Sequence, residues 1–327
     1  MTMNLSVVIP VYNEEAGLPA LFSRLYPALD ALGVSYELIF VNDGSRDRSA
    51  AMLREQFAKR PDVTRVVLLN GNFGQHMAIM AGFERTRGER VVTLDADLQN
   101  PPEEIAKLLA KMDEGYDYVG GVRSERHDNA FRRIGSRAMN AVRRRITRIV
   151  MTDQGCMLRA YSRDIVDAIN ACREVSTFIP ALAYTFAHRP TEVEVAHEAR
   201  AAGTSKYSVY KLIRLNFDLV TGFSVVPLQA FSFFGILISI GSVLLYFVVM
   251  IRRILAGAPL DTMRTFWDRD ILQFFLTGLV LFGLGLVGEY VGRIYQQVRE
   301  RPRYLVQAVL EKESTWEPKR SSSATGT

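Results

Sequence analysis

Two long apolar runs near the C-terminus constrain the fold of this 327-residue chain more than any other feature. They cover residues 230–251 and 271–291. Each is close to the ~20 apolar positions that a helix needs to cross a bilayer. Arg252, Arg253 and Arg293 border the runs, as basic residues commonly do where a span ends. A pair of buried core helices is the alternative, but two nearly uncharged stretches of this length seldom share one soluble domain. The pattern therefore predicts two transmembrane helices.

The start of the chain indicates which side of the membrane it occupies. Residues 1–4 lead straight into a strand-like run, so no charged segment with an apolar core marks a signal peptide. Two spans return the C-terminus to the starting side, which leaves residues 252–270 as the translocated loop. Lys and Arg are more numerous on the flanks than in that loop, as the positive-inside rule predicts. We therefore expect a multi-pass protein with a cytoplasmic N-terminal domain. Cys156 and Cys172, without disulfide-type spacing, fit that reducing compartment.

The N-terminal part alternates between short apolar runs and helical stripes. The first four runs are rich in β-branched residues and are each followed by a helix-like segment, which is the order of a parallel α/β sheet. In the first such segment Leu18, Leu21, Leu25 and Leu29 recur at helical spacing, as core packing requires. The predicted strands are residues 5–10, 36–42, 64–69, 90–94 and 118–122.

Polar residues stand where these strands end. Open α/β sheets bind ligands outside the carboxyl ends of their strands, and Tyr12, Asp43 and Asp95 follow the first, second and fourth runs. In an extended chain residues i and i+2 point to the same side, so Asp95, Asp97 and Gln99 are predicted to face one divalent cation. A solvated turn is the usual interpretation of an Asp-x-Asp pair. Its place after a buried strand favours the metal site here.

Several common ligand and catalytic motifs are missing from the sequence. It has no Gly-x-x-x-x-Gly-Lys loop and no Gly-x-Gly-x-x-Gly after the first strand, which disfavours phosphate-loop NTPases and ordinary dinucleotide-binding proteins. The four histidines form no triad pattern. An arginine-rich stretch over residues 123–148 lacks the interleaved aromatic residues of a nucleic-acid-binding motif. A solvated helix face is the usual explanation of such a run, and phosphate groups with the membrane surface are the partners that we expect.

A second group of polar residues lies between the sheet and the membrane. Segments at residues 153–159 and 191–197 are predicted to extend the sheet with two antiparallel strands. Beyond them Arg200, Ser205 and Lys206 surround a flexible glycine, which suits the clamping of a lipid phosphate; an ordinary linker is the simpler alternative. Residues 207–229 have the pattern of an interfacial amphipathic helix. The Ser-rich end of the chain has the composition of disorder.

These groups together permit one kind of chemistry. A metal at the acidic pair offsets the charge of a diphosphate leaving group, so we expect a nucleotide-activated substrate. Tyr12 is placed to pack on its base and Asp43 to accept from a base N–H. If the second substrate is a lipid monophosphate, it carries about −1.5 to −2 charges near pH 7. No general base is then needed, and positioning with electrostatic stabilisation supplies most of the rate.

The motifs resemble those of family 2 glycosyltransferases, and specifically the polyisoprenyl-phosphate glycosyltransferases. The matching segments cover nearly the whole chain except its tail, at residues 8–15, 42–45, 72–76, 94–104, 203–207 and 288–295. Residues 153–161, 176–180 and 301–304 are most similar to one group of these enzymes. That group moves 4-deoxy-4-formamido-L-arabinose from UDP to undecaprenyl phosphate for lipid A modification. The resemblance implies a GT-A fold, inversion at the anomeric carbon, a Mg²⁺ or Mn²⁺ cofactor, a bacterial inner-membrane location and a homotetramer.

The resemblance also implies roles for individual residues. The uridine diphosphate is expected to contact Pro10, Tyr12, Glu14, Asp43 and Asp95. The metal is expected to contact Asp95, Asp97 and Gln99. The acceptor phosphate is expected to contact Arg123, Arg132, Ser136, Arg200, Ser205 and Lys206. The catalytic acidic residues are expected to be Asp97 and Asp153. Asn42 stands where the family commonly has an acid, which puts a secondary uridine contact in doubt and leaves the class unchanged.

The predicted organisation has six segments. A cytoplasmic GT-A domain (residues 1–206) is followed by an interfacial segment (207–229). Two transmembrane helices (230–251 and 271–291) are joined by a periplasmic loop (252–270). A cytoplasmic C-terminal segment with a disordered tail (292–327) ends the chain. A related transferase that loads glucose or mannose on the same lipid is one alternative. A non-catalytic membrane scaffold or lipid carrier is another. A processive polysaccharide synthase is disfavoured, because Gln-x-x-Arg-Trp is absent and two spans are too few for a channel.

Overall fold

The fold was obtained as a computed structural model. It describes residues 3–123, 151–153, 155–172, 178–198, 225–255, 266–299 and 301–312. Most of the predicted interfacial segment and the end of the chain lie outside these ranges.

One mixed sheet forms the centre of the described structure. Its strands, in chain order, are β1 Leu5–Val11, β2 Tyr36–Asn42, β3 Thr64–Leu69, β4 Arg90–Thr93, β5 Tyr118–Arg123, β6 Arg159–Ser162, β7 Pro190–Val195 and β8 Val306–Leu310. In space the order is β7-β5-β6-β4-β1-β2-β3-β8. The four strands β4, β1, β2 and β3 are mutually parallel neighbours, so their carboxyl ends meet at one edge. The five strands predicted from the sequence are present within one residue at each end.

Helices cover both faces of the sheet. The sheet helices are α1 Leu18–Asp30, α2 Ser49–Lys59, α3 Gln75–Phe83, α4 Ile105–Asp113, α5 Arg163–Ala171 and α6 Ile179–Phe186. The predicted stripe of α1 is confirmed, because Leu18, Leu21, Leu25 and Leu29 are fully buried. Residues of β2 and β3 are all buried, which is typical of a parallel sheet that is covered on both sides.

The two strands predicted beyond residue 153 differ in direction. β6 lies antiparallel between β4 and β5, as expected, but it covers Arg159–Ser162, so most of the predicted segment 153–159 precedes the strand. β7 is parallel to β5, so the antiparallel prediction for that segment is wrong. The physical reason is the connection: α5 and α6 carry the chain from β6 back across the sheet, which allows β7 to run in the same direction as its neighbour.

Two long helices follow the sheet domain, α7 Val226–Leu255 and α8 Phe266–Val298. The predicted spans lie inside them. Among the described residues, one stretch, Leu276–Val298, is long and apolar enough to cross a membrane, and α7 contains a shorter apolar stretch, Leu228–Ile238. The helices touch through Phe231 and Phe282, whose ring centroids are 5.9 Å apart.

The strand β8 was not predicted. It pairs antiparallel with β3 and so brings the chain beyond α8 back to the sheet. Glu311, just after β8, forms ion pairs with Arg65 at 2.6 Å and with Arg87 at 3.0 Å. Arg65 is nearly buried and also pairs with the buried Glu37 at 2.9 Å. The predicted C-terminal segment, residues 292–327, therefore contains one strand of the sheet.

Candidate active site

The loop after β2 is fixed to the start of α3 by Asp43. Its two carboxylate oxygens accept hydrogen bonds from the backbone N–H groups of Phe73 (2.7 Å) and Gly74 (2.9 Å). Burial raises the pKa of the Asp43 carboxyl above its usual range, and these two N–H groups oppose that rise. Asp43 therefore joins the loop after β2 to the start of α3, and the base contact predicted for it stays a prediction.

The loop after β1 is bound to the loop after β2. Asn13 has a left-handed backbone with φ of 55°. Its side-chain oxygen accepts from the N–H of Arg46 at 2.8 Å, and its N–H donates to Ser45 Oγ at 3.0 Å. This pairing leaves the adjacent Tyr12 41% exposed at the carboxyl edge, available for stacking on a base. The signal in the sequence was the pair of Asn and Ser side chains, which favour such turns.

The acidic stretch after β4 adopts a turn. Because β4 ends at Thr93, the predicted extended geometry does not continue through residue 99, and Leu98 has a φ of 59°. The alternation of side chains persists nevertheless. Ala96, Leu98 and Asn100 are buried, whereas the intervening Asp95, Asp97 and Gln99 are partly exposed. The three predicted ligand residues are thus on the accessible side, and the turn is what presents them.

Two hydrogen bonds orient the acidic side chains. Asp95 Oδ1 accepts from Gln75 Nε2 at 2.6 Å, and Asp97 Oδ1 accepts from the N–H of Gln99 at 3.1 Å. In the part of the chain described, no group of three or more His, Cys, Asp or Glu residues is arranged to hold a metal. Mg²⁺ is commonly held by one or two carboxylates together with substrate phosphates. A pair of partly exposed carboxylates fits a cation that arrives with a diphosphate.

Asp153 forms a two-pronged ion pair with Arg123. Arg123 Nε lies 2.6 Å from Asp153 Oδ2, and Arg123 Nη2 lies 2.9 Å from Asp153 Oδ1. The N–H of Gly155 also donates to Asp153 Oδ1, at 3.0 Å. The hydrogen bond from Arg123 to Asp153 raises the pKa of the Arg123 guanidinium. The negative charge of Asp95 also raises this pKa. Two residues that were predicted separately are therefore one unit.

The segment after β7 is attached to the acidic turn. The N–H of Glu198 donates to the Gln99 carbonyl oxygen at 2.9 Å, and Asn100 Nδ2 donates to the Ala196 carbonyl oxygen at 3.4 Å. Arg24 on α1 pairs with Glu198 at 2.9 Å and with Glu103 at 3.0 Å. The chain thus leaves toward residue 200 from beside the acidic turn. The predicted acceptor residues outside the described ranges are Arg132, Ser136, Arg200, Ser205 and Lys206.

His76 near the start of α3 packs against an aromatic ring. Its ring lies 5.2 Å from that of Phe178 in an edge-on arrangement, and its Nδ1 is buried without a hydrogen-bond partner among the described residues. Burial, together with the nearby charge of Arg159, lowers the pKa of His76 to about 4. His76 is therefore neutral at physiological pH.

The titration of His76 predicts a pH-dependent stability. Its pKa rises from about 4 in the folded state to 6.5 on unfolding, so the unfolded chain binds more protons between these values. The stabilising contribution is complete above pH 6.5 and is lost as the pH falls toward 4; at pH 5 the loss is about 2 kcal/mol. We expect the Tm difference between wild type and His76→Gln to narrow from pH 7 to pH 5. His188→Gln, at an exposed histidine, is the control. A constant Tm difference for His76→Gln would contradict the prediction.

Comparison with known proteins identifies the class. The sequence profile named Glycosyl transferase family 2 matches residues 6–169. The chain belongs to this family and is a glycosyltransferase with a GT-A-like α/β fold.

Named relatives narrow the comparison. The chain is 50% identical over 311 residues to the undecaprenyl-phosphate 4-deoxy-4-formamido-L-arabinose transferase of Shewanella sediminis (strain HAW-EB3), covering 95% of this chain and 93% of that protein. It is 48% identical to the transferase of the same name from Pseudomonas aeruginosa (strain LESB58), covering 93% and 90%. Glucosyl-3-phosphoglycerate synthase from Mycobacterium tuberculosis in complex with UDP is 20% identical, with a TM-score of 0.49, covering 67% of this chain and 78% of that chain.

Proposed function

We propose that this enzyme transfers 4-deoxy-4-formamido-L-arabinose from UDP to undecaprenyl phosphate, with inversion at the anomeric carbon, for the modification of lipid A. The observation that carries the proposal is the 50% identity over 95% of the chain to a transferase named for this sugar and this lipid. The chemistry of the site is consistent with it, because the exposed Tyr12 ring lies at the carboxyl edge of the sheet and the Arg123 cation is close enough to Asp95 for their charges to interact.

The donor is proposed to bind at the carboxyl ends of β1, β2 and β4. Tyr12 packs on the uracil, Asp43 accepts from it, and Pro10 and Glu14 line the same side. Asp95, Asp97 and Gln99 are proposed to hold Mg²⁺ or Mn²⁺ with the diphosphate. When bound, that cation offsets the charge that develops on the departing UDP. Gln75, which holds Asp95 at 2.6 Å, keeps one of these carboxylates in position.

The acceptor side is proposed to act by positioning alone. A phosphate monoester is already anionic near pH 7, so its oxygen attacks the anomeric carbon without losing a proton to the protein. Arg123 is proposed to contact this phosphate, together with Arg132, Ser136, Arg200, Ser205 and Lys206. The ion pair between Arg123 and Asp153 supports an orienting role for Asp153, because both carboxylate oxygens accept from the guanidinium.

The strand β8 supports a membrane hairpin. β7 and β8 belong to one sheet, although α7 and α8 lie between them in the chain. A sheet assembles on one side of a bilayer, so the chain between these strands crosses an even number of times. With two long helices available, we propose two spans, a cytoplasmic catalytic domain and a location in the bacterial inner membrane. Reporter fusions at residue 260 and at the C-terminus test this: opposite compartments are expected, and a shared compartment would contradict the hairpin.

A panel of donors tests the substrate. Purified enzyme is incubated with undecaprenyl phosphate and with UDP-4-deoxy-4-formamido-L-arabinose, UDP-glucose or GDP-mannose, and lipid-linked sugar is measured. We expect the formamido sugar to be preferred by about a hundredfold or more, and chelation of divalent cations to stop the transfer. Preference for glucose or mannose would select the related transferases. No turnover with any donor would favour a scaffold or lipid carrier.

The acceptor loop is tested by Arg200→Ala and Lys206→Ala. Each substitution removes a cation that is proposed to contact the lipid phosphate, so the apparent KM for the lipid is expected to rise by about tenfold. The KM for the nucleotide sugar is expected to change much less. Steady-state kinetics with each substrate varied in turn measures both constants. The reverse pattern would show that the loop contacts the donor.

The homotetramer is a further proposal, and it rests on the family resemblance alone. The mass of the detergent-solubilised protein, from light scattering, tests it.

A further inference from the structure

Arg159, at the start of β6, is the largest fully buried side chain of the described structure. A buried cation is costly unless it is compensated. Within the described part of the chain, its guanidinium forms no ion pair with a carboxylate. It donates instead to the carbonyl oxygens of Cys156 at 2.8 Å and Asp153 at 2.6 Å, and to the Tyr118 hydroxyl. Its described hydrogen bonds therefore all go to neutral acceptors, three oxygens and the Met151 sulfur at 3.8 Å.

The two carbonyl groups belong to the turn that immediately precedes β6. Arg159 binds the carbonyl groups of residues 153 and 156 and so holds these two positions at a fixed separation. A guanidinium suits this task because its donors have a rigid planar geometry that reaches several acceptors at once. The consequence is that the orientation of Asp153, at one end of the turn, depends on a residue with no exposed surface.

The Asp153 side chain carries this constraint outward to Arg123. Asp153 holds the Arg123 guanidinium through two hydrogen bonds of 2.6 and 2.9 Å. Arg123 is only partly buried, with 22% of its side chain exposed, whereas the Asp153 side chain is 3% exposed. Arg123 therefore binds the Asp153 carboxylate, whereas Arg159 binds the backbone carbonyl oxygen of the same residue. The exposed part of the Arg123 guanidinium is a cationic donor that suits the oxygens of an anion.

We propose that Arg159 is a positioning residue for the acceptor. By fixing the turn at residues 153–156, it holds the Asp153 carboxylate where that group orients the Arg123 guanidinium toward the lipid phosphate. Asp153 then serves as the ion-pair partner of Arg123 and takes no proton from the acceptor. This inference deepens the proposed function and rests on it, since it names the same acceptor phosphate.

The first test is Arg159→Lys in the full-length, detergent-solubilised enzyme. Lysine keeps the charge, but its single nitrogen cannot reproduce the planar contacts with the turn and with Tyr118. We expect the KM for undecaprenyl phosphate to rise about tenfold, as when hydrogen bonds to a charged group are lost. The KM for the nucleotide sugar is expected to stay within about twofold. No change, or an equal rise in both constants, would overturn the proposal.

Arg163→Lys is the matched control. Arg163 also donates to a backbone carbonyl oxygen, that of Gly88, and to Thr86 Oγ1, but at the start of β4, on the opposite edge of the sheet. We expect both KM values to stay at the wild-type level. If Arg163→Lys raises the lipid KM as much as Arg159→Lys, a general structural effect replaces the positioning role.

Gly155→Ala offers a second variant that leaves every charge in place. A Cβ on Gly155 would lie 2.8 Å from Arg123 Nη2, so the guanidinium must move, whereas the flexible side chain allows the fold to persist. We expect a wild-type Tm and a lipid KM raised by at least about threefold. A wild-type lipid KM would show that the placement of Arg123 does not matter, which overturns the proposal.

A double-mutant cycle tests whether Arg159 acts through Arg123. If it does, Arg159→Lys adds little to the lipid KM of Arg123→Lys, because the oriented group is already altered. Multiplication of the two single effects would overturn the proposal.

Equilibrium binding of undecaprenyl phosphate distinguishes a failure of the proposed function from a failure of the positioning role of Arg159. Wild type that neither binds nor glycosylates this lipid refutes the proposed function and the inference with it; equal binding by wild type and Arg159→Lys refutes the inference alone.

Discussion

Asp97→Ala is expected to abolish sugar transfer while the protein stays folded and inserted in the membrane. The carboxylate lies on the accessible side of the turn after β4, where it is proposed to bind the metal and diphosphate. Removing one group that stabilises the charge of the transition state typically lowers kcat by about a hundredfold or more. The hydrogen bond from the Gln99 N–H, which the substitution removes, contributes about 1 kcal/mol to the stability of the fold. Transfer of labelled sugar and the Tm measure the two effects.

Asp113→Ala is the matched control for this experiment. Asp113 also carries an exposed carboxylate, but it pairs with Arg90 at 2.8 Å, at the opposite end of β4. Its loss is expected to leave turnover unchanged, because surface ion pairs contribute at most about 1 kcal/mol. Unchanged turnover in Asp97→Ala would remove the basis of the proposed metal site. Equal loss in both variants would point to a folding defect.

The sequence was most informative where local pattern and tertiary environment agree. β2 and β3 were predicted with their observed bounds, because short runs that are mostly apolar are buried on both faces of the sheet. The position of the site at the carboxyl edge followed from the parallel order of β1, β2 and β4. A rule of parallel sheets was sufficient for this, since it requires no knowledge of individual contacts.

Contacts between distant segments were not predictable from the sequence. The pairing of β8 with β3 joins residues more than two hundred positions apart, and its short run carries no local signal of a partner. The direction of β7 depends on how α5 and α6 return the chain. Likewise, Arg123 and Asp153 were predicted as separate site residues. An ion pair between distant segments cannot be recognised from the sequence around either residue.

The acidic turn at residues 95–99 was predicted in one respect and missed in another. That Asp95, Asp97 and Gln99 face one cation stays a prediction. The i, i+2 alternation is seen in the burial, because these three residues are partly exposed and alternate with buried residues. The conformation that produces it was wrong, because β4 stops at Thr93 and Leu98 takes a left-handed backbone. A non-glycine residue in that conformation costs about 1–2 kcal/mol. Such strain is commonly found at functional sites, and here it lies between two of the proposed ligand residues.

Gly44→Ala is expected to cause a large loss of stability together with a loss of UDP binding. Gly44 has a φ of +64°, and a Cβ there would lie 2.3 Å from the carbonyl carbon of Gly71. The clash is with backbone, so relief requires the loops after β2 and β3 to separate. That movement breaks the hydrogen bonds from Phe73 and Gly74 to Asp43. Backbone strain and overpacking together predict a destabilisation of about 3 kcal/mol or more.

Gly33→Ala separates the two causes of that loss. Gly33 has nearly the same backbone, with a φ of +65°, but nothing lies within 4 Å of the position that a Cβ would take. It should therefore show the backbone strain alone, about 1–2 kcal/mol, with normal UDP binding. Thermal unfolding and UDP titration of both variants measure the difference. Equal destabilisation would mean that the two loops move apart at little cost, in which case Asp43 does not depend on their close approach.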